Sequence, residues 1–183
     1  QEDKRVVLLE SEAREFLSNY GIKSPGNAVA RSVNEAERLS TKIGYPVVMK
    51  IMSPQILHKV DVGGVILNVR NVGEVRKEFH HLFEIEGVEG VLVAQMVSGT
   101  ELFLGAKYEQ NFGHVILCGM GGIYVEVLKD VTSGLAPLSE EEAMSMIKNL
   151  KSYRILKGYR KQPGVNIKRF AEILVRLSSL LRF

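Results

Sequence analysis

The pattern of hydrophobic and polar residues in the first half of the chain predicts helices alternating with strands. Apolar residues recur at spacings of three and four within Leu9–Tyr20, Ala36–Ile43 and Val75–Phe83, and this period is typical of helices with one buried face. The apolar runs at 46–52 and 64–70 have the length and composition of buried strands. The predicted order is therefore helix, helix, strand, loop, strand, helix.

The second half is predicted to be richer in strands. Short turns separate the apolar runs 90–97, 100–108 and 114–120, which favours three adjacent antiparallel strands, and 125–131 and 134–138 are expected to extend the sheet. Ser139 followed by Glu142 has the spacing of a helix capping box, and a last helix is predicted over 170–181. We expect an α+β protein with two lobes, 1–89 and 90–183.

Composition favours an ordinary globular protein, with 45% hydrophobic and 25% charged residues. No uncharged run reaches the length that spans a membrane, and the charged start QEDKR does not resemble a secretory signal, so a cytoplasmic location is expected. Cys118 is the single cysteine, which excludes an intramolecular disulfide and a cysteine cluster for a metal. It is read as a small buried hydrophobe.

The C-terminal segment 148–183 is strongly basic, with ten Lys or Arg residues against Glu172 alone. Such a block can meet nucleic acid, a phosphorylated small molecule or an acidic partner subunit, or it can be the solvated face of surface helices. Since the segment has no nucleic-acid recognition motif and few aromatic residues, nucleic acid is the less favoured partner.

Lys50 is an anomaly because it lies inside an otherwise apolar predicted strand. A buried ammonium needs an anionic partner, and either a carboxylate from a neighbouring strand or a bound phosphate would serve. Gly63 and Gly64, just downstream, would let the backbone approach an oxyanion and present its N–H groups.

His58 lies in the loop SPQILHKVDVGG between the two predicted strands of the first half. A neutral imidazole can act as a nucleophile and accept a phosphoryl group. Asp61 is close enough in sequence to orient the ring, and Lys59 could neutralise the transferred group. The alternative is a loop histidine that hydrogen-bonds a backbone carbonyl.

The segment from Gln95 to Val97 could present backbone groups to the edge of a purine with Met96 against its face, and Glu101 could accept hydrogen bonds from ribose hydroxyls. By spacing alone, any hairpin could have this pattern. Glu126 and Asp130 could bind a divalent cation or pair with Lys129 and Lys107, and pairing is favoured.

Three stretches of the sequence resemble one known family. They are GYPVVMKIMSPQILHKVDVGGVILNV, QMVSGTELFLGAKYEQNFGHVILCGMGGIYVEVLKDV and GYRKQPGVNIKRFAEILVRLS. They are similar to the ATP-grasp domain of NDP-forming acyl-CoA synthetases, in particular the β subunits of archaeal ADP-forming acetyl-CoA synthetases. The resemblance extends from about residue 12 to residue 181.

This resemblance implies an ATP-grasp fold with ATP or ADP and Mg²⁺ between two α+β lobes, and a ligase that interconverts acyl-CoA, ADP and phosphate with the acid, CoA and ATP. Lys50 matches the lysine that contacts nucleotide phosphates, His58 a second histidine that relays the phosphoryl group, and Glu101 the acid that contacts ribose. Gly63 and Gly64 would cover the phosphates, and Gln95, Met96 and Val97 match the adenine-binding connector.

The resemblance also implies a partner and a missing part. The partner is a CoA-binding α subunit that carries the principal phosphohistidine, in an α2β2 assembly. Family members continue with an ELDINPL-like strand that helps to hold Mg²⁺, so the metal ligands are expected beyond Phe183. The alternative to the synthetase is a catalytically silent ATP-grasp module within a regulatory protein, such as a fused acetyltransferase.

Overall fold

The computed structural model describes residues 8–56, 58–122, 129–160 and 162–181. Within it the chain divides into two compact units, Gln1–Ser98 and Gly99–Phe183. The division lies after the predicted boundary at residue 89, because the strand that begins at Gly90 pairs with strands of the first unit.

The first unit is a four-stranded antiparallel sheet with helices. Its helices are α1 (Glu10–Asn19), α2 (Val33–Ile43) and α3 (Val72–Phe83), and its strands are β1 (Asn27–Ala30), β2 (Val47–Met52), β3 (Val65–Val69) and β4 (Gly90–Gln95). The strand order is β1-β4-β2-β3, so β2 lies inside the sheet. Its core packs α2 and α3 against residues of the sheet such as Met49, Ile51 and Val91.

Side-chain caps begin two of these helices, α2 and α3. The Ser32 hydroxyl accepts a hydrogen bond from the backbone N–H of Glu35, and the Asn71 side chain accepts one from that of Glu74. Helix α1 differs because none of its residues is fully buried, and its Phe16 stacks at an angle on Tyr20 with ring centroids 5.4 Å apart. The apolar stripe on α1 therefore packs only shallowly.

Strand β3 forms one edge of this sheet, and its pairing with β2 is irregular. The register shifts between the Val47–Val69 pair and the Met49–Ile66 pair. Asn68 has a φ of 62°, in the left-handed region that asparagine tolerates better than most residues. The strand is therefore bulged at its solvent edge.

The second unit packs a three-stranded antiparallel sheet against helices. Its strands are β5 (Leu102–Glu109), β6 (Gly113–Met120) and β7 (Val131–Leu135), followed by α4 (Glu140–Lys148), α5 (Tyr153–Leu156), the short pair β8 (Gly158–Tyr159) and β9 (Gln162–Pro163), and α6 (Ile167–Leu180). The core combines β6 residues, including Ile116 and Cys118, with Ile147 and Leu174 from the helices.

Two sequence predictions for the second half are corrected by the strand pairing. The run 90–97 was expected beside 100–108, but β4 pairs with β1 and β2, whereas β5 pairs with β6. The strand expected at 134–138 lies instead at Val131–Leu135, and most of the one expected at 125–131 lies outside the described residues. The predicted capping box at Ser139 and Glu142 is confirmed.

Among the described residues, no helix combines the length and apolar character that crossing a lipid bilayer requires.

Candidate functional site

The loop between β2 and β3 carries His58 as an exposed side chain on an internally bonded turn. The backbone N–H groups of Asp61, Gly63 and Gly64 donate to the carbonyls of His58, Val60 and Lys59 at 3.2, 3.1 and 2.7 Å. The turn is also fixed to β2, since the Ile51 N–H donates to the Gly64 carbonyl at 2.9 Å. The fold therefore holds the His58 side chain at the surface on a hydrogen-bonded turn.

Gly64 is required where the turn closes on β2. A Cβ at this position would lie 2.5 Å from Cδ1 of Ile51 and 2.9 Å from the Lys59 carbonyl oxygen. Both distances are below ordinary van der Waals contact, and the carbonyl belongs to the turn backbone. The absence of a side chain at Gly64 thus allows the loop that carries His58 to pack on the strand that carries Lys50.

The expected donors to phosphate, Gly63 and Gly64, use their N–H groups inside the turn. Each would have to leave its carbonyl partner in order to donate to a phosphate oxygen. Asp61 contacts His58 through the backbone, and the described structure contains no hydrogen bond between the Asp61 carboxylate and the imidazole. The predicted orienting role of Asp61 has no contact to support it in this conformation.

Lys50 has an anionic partner, and it comes from a helix. Its Nζ lies 2.9 Å from Oε1 of Glu10 in α1, and the two side chains are 26% and 23% exposed. A carboxylate from a neighbouring strand was predicted as one possible partner, because strand neighbours are the obvious candidates. Glu10 is 40 positions away in sequence, so local patterns could not identify it.

Glu10 also binds Arg14 one helical turn later. Nε and Nη2 of Arg14 donate to the same Oε1 at 3.2 and 2.7 Å. Burial alone would raise the pKa of Glu10, but the hydrogen bonds from Lys50 and Arg14 and the charges of both outweigh it and hold this pKa below its ordinary value. Glu10 is therefore a carboxylate at neutral pH.

The segment predicted to contact adenine begins at Gln95, the last residue of β4. The N–H of Gln95 donates to the Gly26 carbonyl at 2.8 Å, and that of Met96 lies 3.4 Å from the Pro46 carbonyl. Val97 is 64% exposed and lies outside the strand. The chain is therefore irregular after Gln95, and Val97 is accessible there.

In the second unit, Glu101 lies against the glycine pair that follows β6. Its carbonyl accepts a hydrogen bond from the Gly121 N–H at 2.7 Å. A Cβ on Gly122 would lie 2.7 Å from Oε2 of Glu101, and Gly122 has a φ of 61°. The glycine pair therefore fixes the Glu101 backbone and leaves space for its exposed carboxylate. These glycines belong to the sequence GMGG, for which no function was predicted.

Asp130 has a structural partner instead of the predicted lysine or cation. Its carboxylate accepts hydrogen bonds from the backbone N–H groups of Lys151 and Ser152 at 2.8 and 2.7 Å, and the residue is 7% exposed. Burial alone would raise its pKa, but the hydrogen bonds from Ser152 and Lys151 lower it below the usual value. Asp130 ties the start of β7 to α5, while Glu126 lies outside the described residues.

The described residues form no group of protein ligands that could hold a metal ion without further partners. Across 8–56, 58–122, 129–160 and 162–181, no three His, Cys, Asp or Glu side chains are grouped closely enough to hold a metal ion. Mg²⁺ prefers carboxylate oxygens and water. It commonly needs only one or two protein carboxylates when nucleotide phosphates supply further ligands.

Comparison with known proteins identifies relatives that are similar in sequence. The 4-hydroxybutyrate–CoA ligase (ADP-forming) of Nitrosopumilus maritimus is 45% identical over 99% of this chain, which spans 27% of that relative. The acetate–CoA ligase (ADP-forming) I β subunit of Pyrococcus furiosus is 42% identical over 94% of this chain and 78% of its own length.

A solved structure agrees in both sequence and fold. It is the acetyl-coenzyme A synthetase 1 of Candidatus Korarchaeum cryptofilum with coenzyme A and Mg-AMPPCP, whose phosphohistidine segment points towards the nucleotide binding site. The match has a TM-score of 0.83 at 40% identity and covers 95% of this chain and 78% of that one. The model of the ATP-grasp domain family matches residues 1–182. This chain belongs to the ATP-grasp domain family.

Proposed function

We propose that this chain is the nucleotide-binding part of an ADP-forming acyl-CoA synthetase. In this function it transfers a phosphoryl group between a phosphohistidine and ADP during the reaction of acyl-CoA, ADP and phosphate to acid, CoA and ATP. Support comes from relatives named ADP-forming CoA ligases and from the solved relative with a nucleotide analogue and a phosphohistidine segment. The chain spans only part of the length of these relatives, and we propose the activity for the whole protein that contains it.

The observation that carries the proposal is a single strand–turn–strand element that contains both Lys50 and His58. The hydrogen bond from the Ile51 N–H to the Gly64 carbonyl fixes the turn to β2, one residue after Lys50. Lys50 supplies a cation for phosphate, and His58 supplies an accessible imidazole. A phosphoryl acceptor must be reached by both donor and nucleotide, and an exposed turn on rigid strands meets that requirement.

The proposed chemistry at His58 has two displacements. The lone pair of an uncharged ring nitrogen forms a bond to phosphorus while the P–N bond to the partner's phosphohistidine breaks. A terminal oxygen of ADP then forms a bond to the same phosphorus, the P–N bond to His58 breaks, and the ring nitrogen recovers its lone pair. Lys50 neutralises phosphate charge during nucleotide binding.

The remaining nucleotide contacts are proposed for the residues that match the family. Gln95, Met96 and Val97 contact adenine, Glu101 accepts hydrogen bonds from ribose hydroxyls, and Gly63 and Gly64 cover the phosphates. The partner is a CoA-binding α subunit, supported by the Pyrococcus relative being named a β subunit. An α2β2 assembly and Mg²⁺ bound with the nucleotide complete the proposal.

The relay is tested with the full-length protein, its phosphorylated partner subunit and ADP. His58→Ala is expected to prevent phosphoryl transfer to ADP in a rapid-quench assay, whereas His81→Ala, an exposed histidine on α3, is expected to behave as the wild type. ATP formation by His58→Ala at the wild-type rate would show that the relay assignment is wrong. Nucleotide binding without any ATP formation by the wild type would favour a catalytically silent module.

The phosphate assignment is tested separately by calorimetry with ADP. Lys50→Met is expected to weaken ADP binding by roughly ten- to a hundredfold, the range for a lost hydrogen bond to a charged group. Lys77→Met removes an exposed lysine on α3, 81% exposed, and is the matched control. Unchanged ADP affinity in Lys50→Met would contradict the assignment.

A further inference from the structure

Glu10, Arg14 and Lys50 form a cluster in which two cations share one oxygen atom. Oε1 of Glu10 accepts from Lys50 at 2.9 Å and from Arg14 at 2.7 and 3.2 Å. The side chains are between 20% and 26% exposed, so ligands in solution can reach them. One carboxylate against two cations leaves an excess of one positive charge at the cluster.

The geometry at Oε1 matches what a phosphate oxygen requires. Phosphate oxygens accept hydrogen bonds from ammonium and guanidinium groups, as carboxylate oxygens do. Lys50 has three N–H donors, and the described structure gives it one side-chain partner, Glu10. An anion that approaches Lys50 therefore meets a cation already paired with an internal carboxylate.

We propose that Glu10 is an internal counter-anion of Lys50 that a nucleotide phosphate displaces. In the nucleotide-free protein Glu10 holds the Lys50 ammonium, and in the complex a phosphate oxygen takes the place of Oε1. Arg14 retains Glu10 when Lys50 releases it. This proposal rests on the proposed function, in which Lys50 contacts phosphate.

Arg14 makes the exchange energetically feasible. A buried carboxylate that loses its partner is strongly unfavourable. Glu10 keeps two hydrogen bonds to Arg14 on the same helix after Lys50 leaves it. Helix α1 has no fully buried residue, so little apolar burial opposes a small shift of its first turn.

Glu10 and Arg14 are therefore expected to change phosphate binding in opposite directions. Removal of the Glu10 charge frees Lys50 for the ligand. Removal of the Arg14 charge leaves Lys50 as the one partner of Glu10 among the described residues, so Glu10 competes more strongly with the ligand for Lys50. If Glu10 and Arg14 served only the stability of α1, removal of either charge would change phosphate binding in the same direction.

The experiment is calorimetric titration of the full-length protein with ADP and with adenosine. Glu10→Gln is expected to bind ADP about two- to fivefold more tightly, the range for one partly exposed ion pair, and Arg14→Gln to bind it more weakly. Adenosine, which has no phosphate, is expected to bind both variants with wild-type affinity. Glu15→Gln removes an exposed charge from the same helix and should change nothing.

Lys50→Met separates failure of this inference from failure of the proposed function. If Lys50→Met weakens ADP binding but Glu10→Gln binds ADP no more tightly than the wild type, the displacement is wrong and the phosphate assignment stands. If Lys50→Met leaves ADP binding unchanged, the phosphate assignment itself is wrong. Glu10→Gln added to Lys50→Met is expected to have no further effect on ADP affinity, and tighter binding there would also overturn the displacement. A thermal denaturation curve for each variant checks that it is folded.

Discussion

The carboxylate of Glu101 occupies the space into which a side chain on Gly122 would project. Oε2 of Glu101 would lie 2.7 Å from a Cβ at Gly122, whose φ of 61° already disfavours other residues. Because Oε2 is the end of a flexible side chain, an added methyl group can displace it at little cost. Gly122 thus controls the position of the Glu101 carboxylate more than the stability of the unit.

Gly122→Ala is expected to weaken ADP binding as much as Glu101→Ala does, because both remove the carboxylate from its place. Its free energy of unfolding should fall by about 1–2 kcal/mol, the cost of a left-handed backbone for alanine. Gly113→Ala is the matched control, since Gly113 has a φ of 75° and no atom within 4 Å of its Cβ position. Calorimetry and urea denaturation measure the two effects. Equal ADP affinities of the two glycine variants would contradict the prediction.

Gly64→Ala is expected to lower the free energy of unfolding by about 1–3 kcal/mol, the usual cost of overpacking. The new methyl group would meet Ile51 at 2.5 Å and the Lys59 carbonyl at 2.9 Å, and the turn backbone has little freedom to yield. Gly26→Ala is the control because nothing lies within 4 Å of its Cβ position. Urea denaturation followed by circular dichroism measures both, and a Gly64→Ala curve that matches Gly26→Ala would disprove the tight contact.

Asp130→Asn is expected to lower the free energy of unfolding by about 1.5–3 kcal/mol, the range for hydrogen bonds to a charged group. The carboxylate accepts from both Lys151 and Ser152, whereas an amide has one acceptor oxygen. Asp61→Asn, at an exposed aspartate without a described side-chain hydrogen bond, is the control.

The same carboxylate predicts a dependence of stability on pH. The pKa of Asp130 is lowered by folding, so its stabilisation is present above the unfolded pKa, about 3.9, and is lost as pH falls through the folded pKa. The difference in stability between wild type and Asp130→Asn should therefore shrink with acidification below pH 4. A difference that stays constant between pH 7 and pH 3 would exclude this linkage.

Cys118 is expected to react slowly with a thiol reagent in the folded protein. It is fully buried, and burial raises the pKa of its thiol, although the hydroxyl of Thr132 lies 3.3 Å from Sγ. Labelling with Ellman's reagent at pH 8 should be slow in buffer and complete, at one thiol per chain, in guanidinium chloride. Cys118→Ala gives the background. Fast stoichiometric labelling in buffer would show that the core around β6 is open.

Local features of this fold were predictable because local residues determine them. Ser139 and Glu142 cap α4 through groups three positions apart, and the apolar run around Lys50 identifies β2. The partner of β4 was not predictable in the same way. Its pairing with Asn27–Ala30, a strand of four residues, depends on contacts across more than 60 positions.

In the candidate site, too, the sequence identifies some residues, and only the fold identifies the others. Lys50 is visible because a lysine is unusual inside an apolar strand, and His58 and the glycines because they lie together in the loop that follows it. Glu10 and Arg14 are not, since a glutamate and an arginine four positions apart are ordinary on a helix surface. Only the fold brings this pair to the strand lysine. Asp130 looked like a candidate ligand because a carboxylate that caps backbone N–H groups has no distinct sequence pattern.

The bulge in β3 has a consequence for the aggregation of the protein at high concentration. An exposed edge strand offers unpaired backbone groups to the edge of another molecule, which is a common start of aggregation. At Asn68 the left-handed backbone breaks the regular spacing that a second strand would need. In a regular edge strand, the exposed Leu67 beside Asn68 would favour hydrophobic contact with a second molecule. A more regular edge, as Asn68→Val would favour, should make the protein less soluble at high concentration.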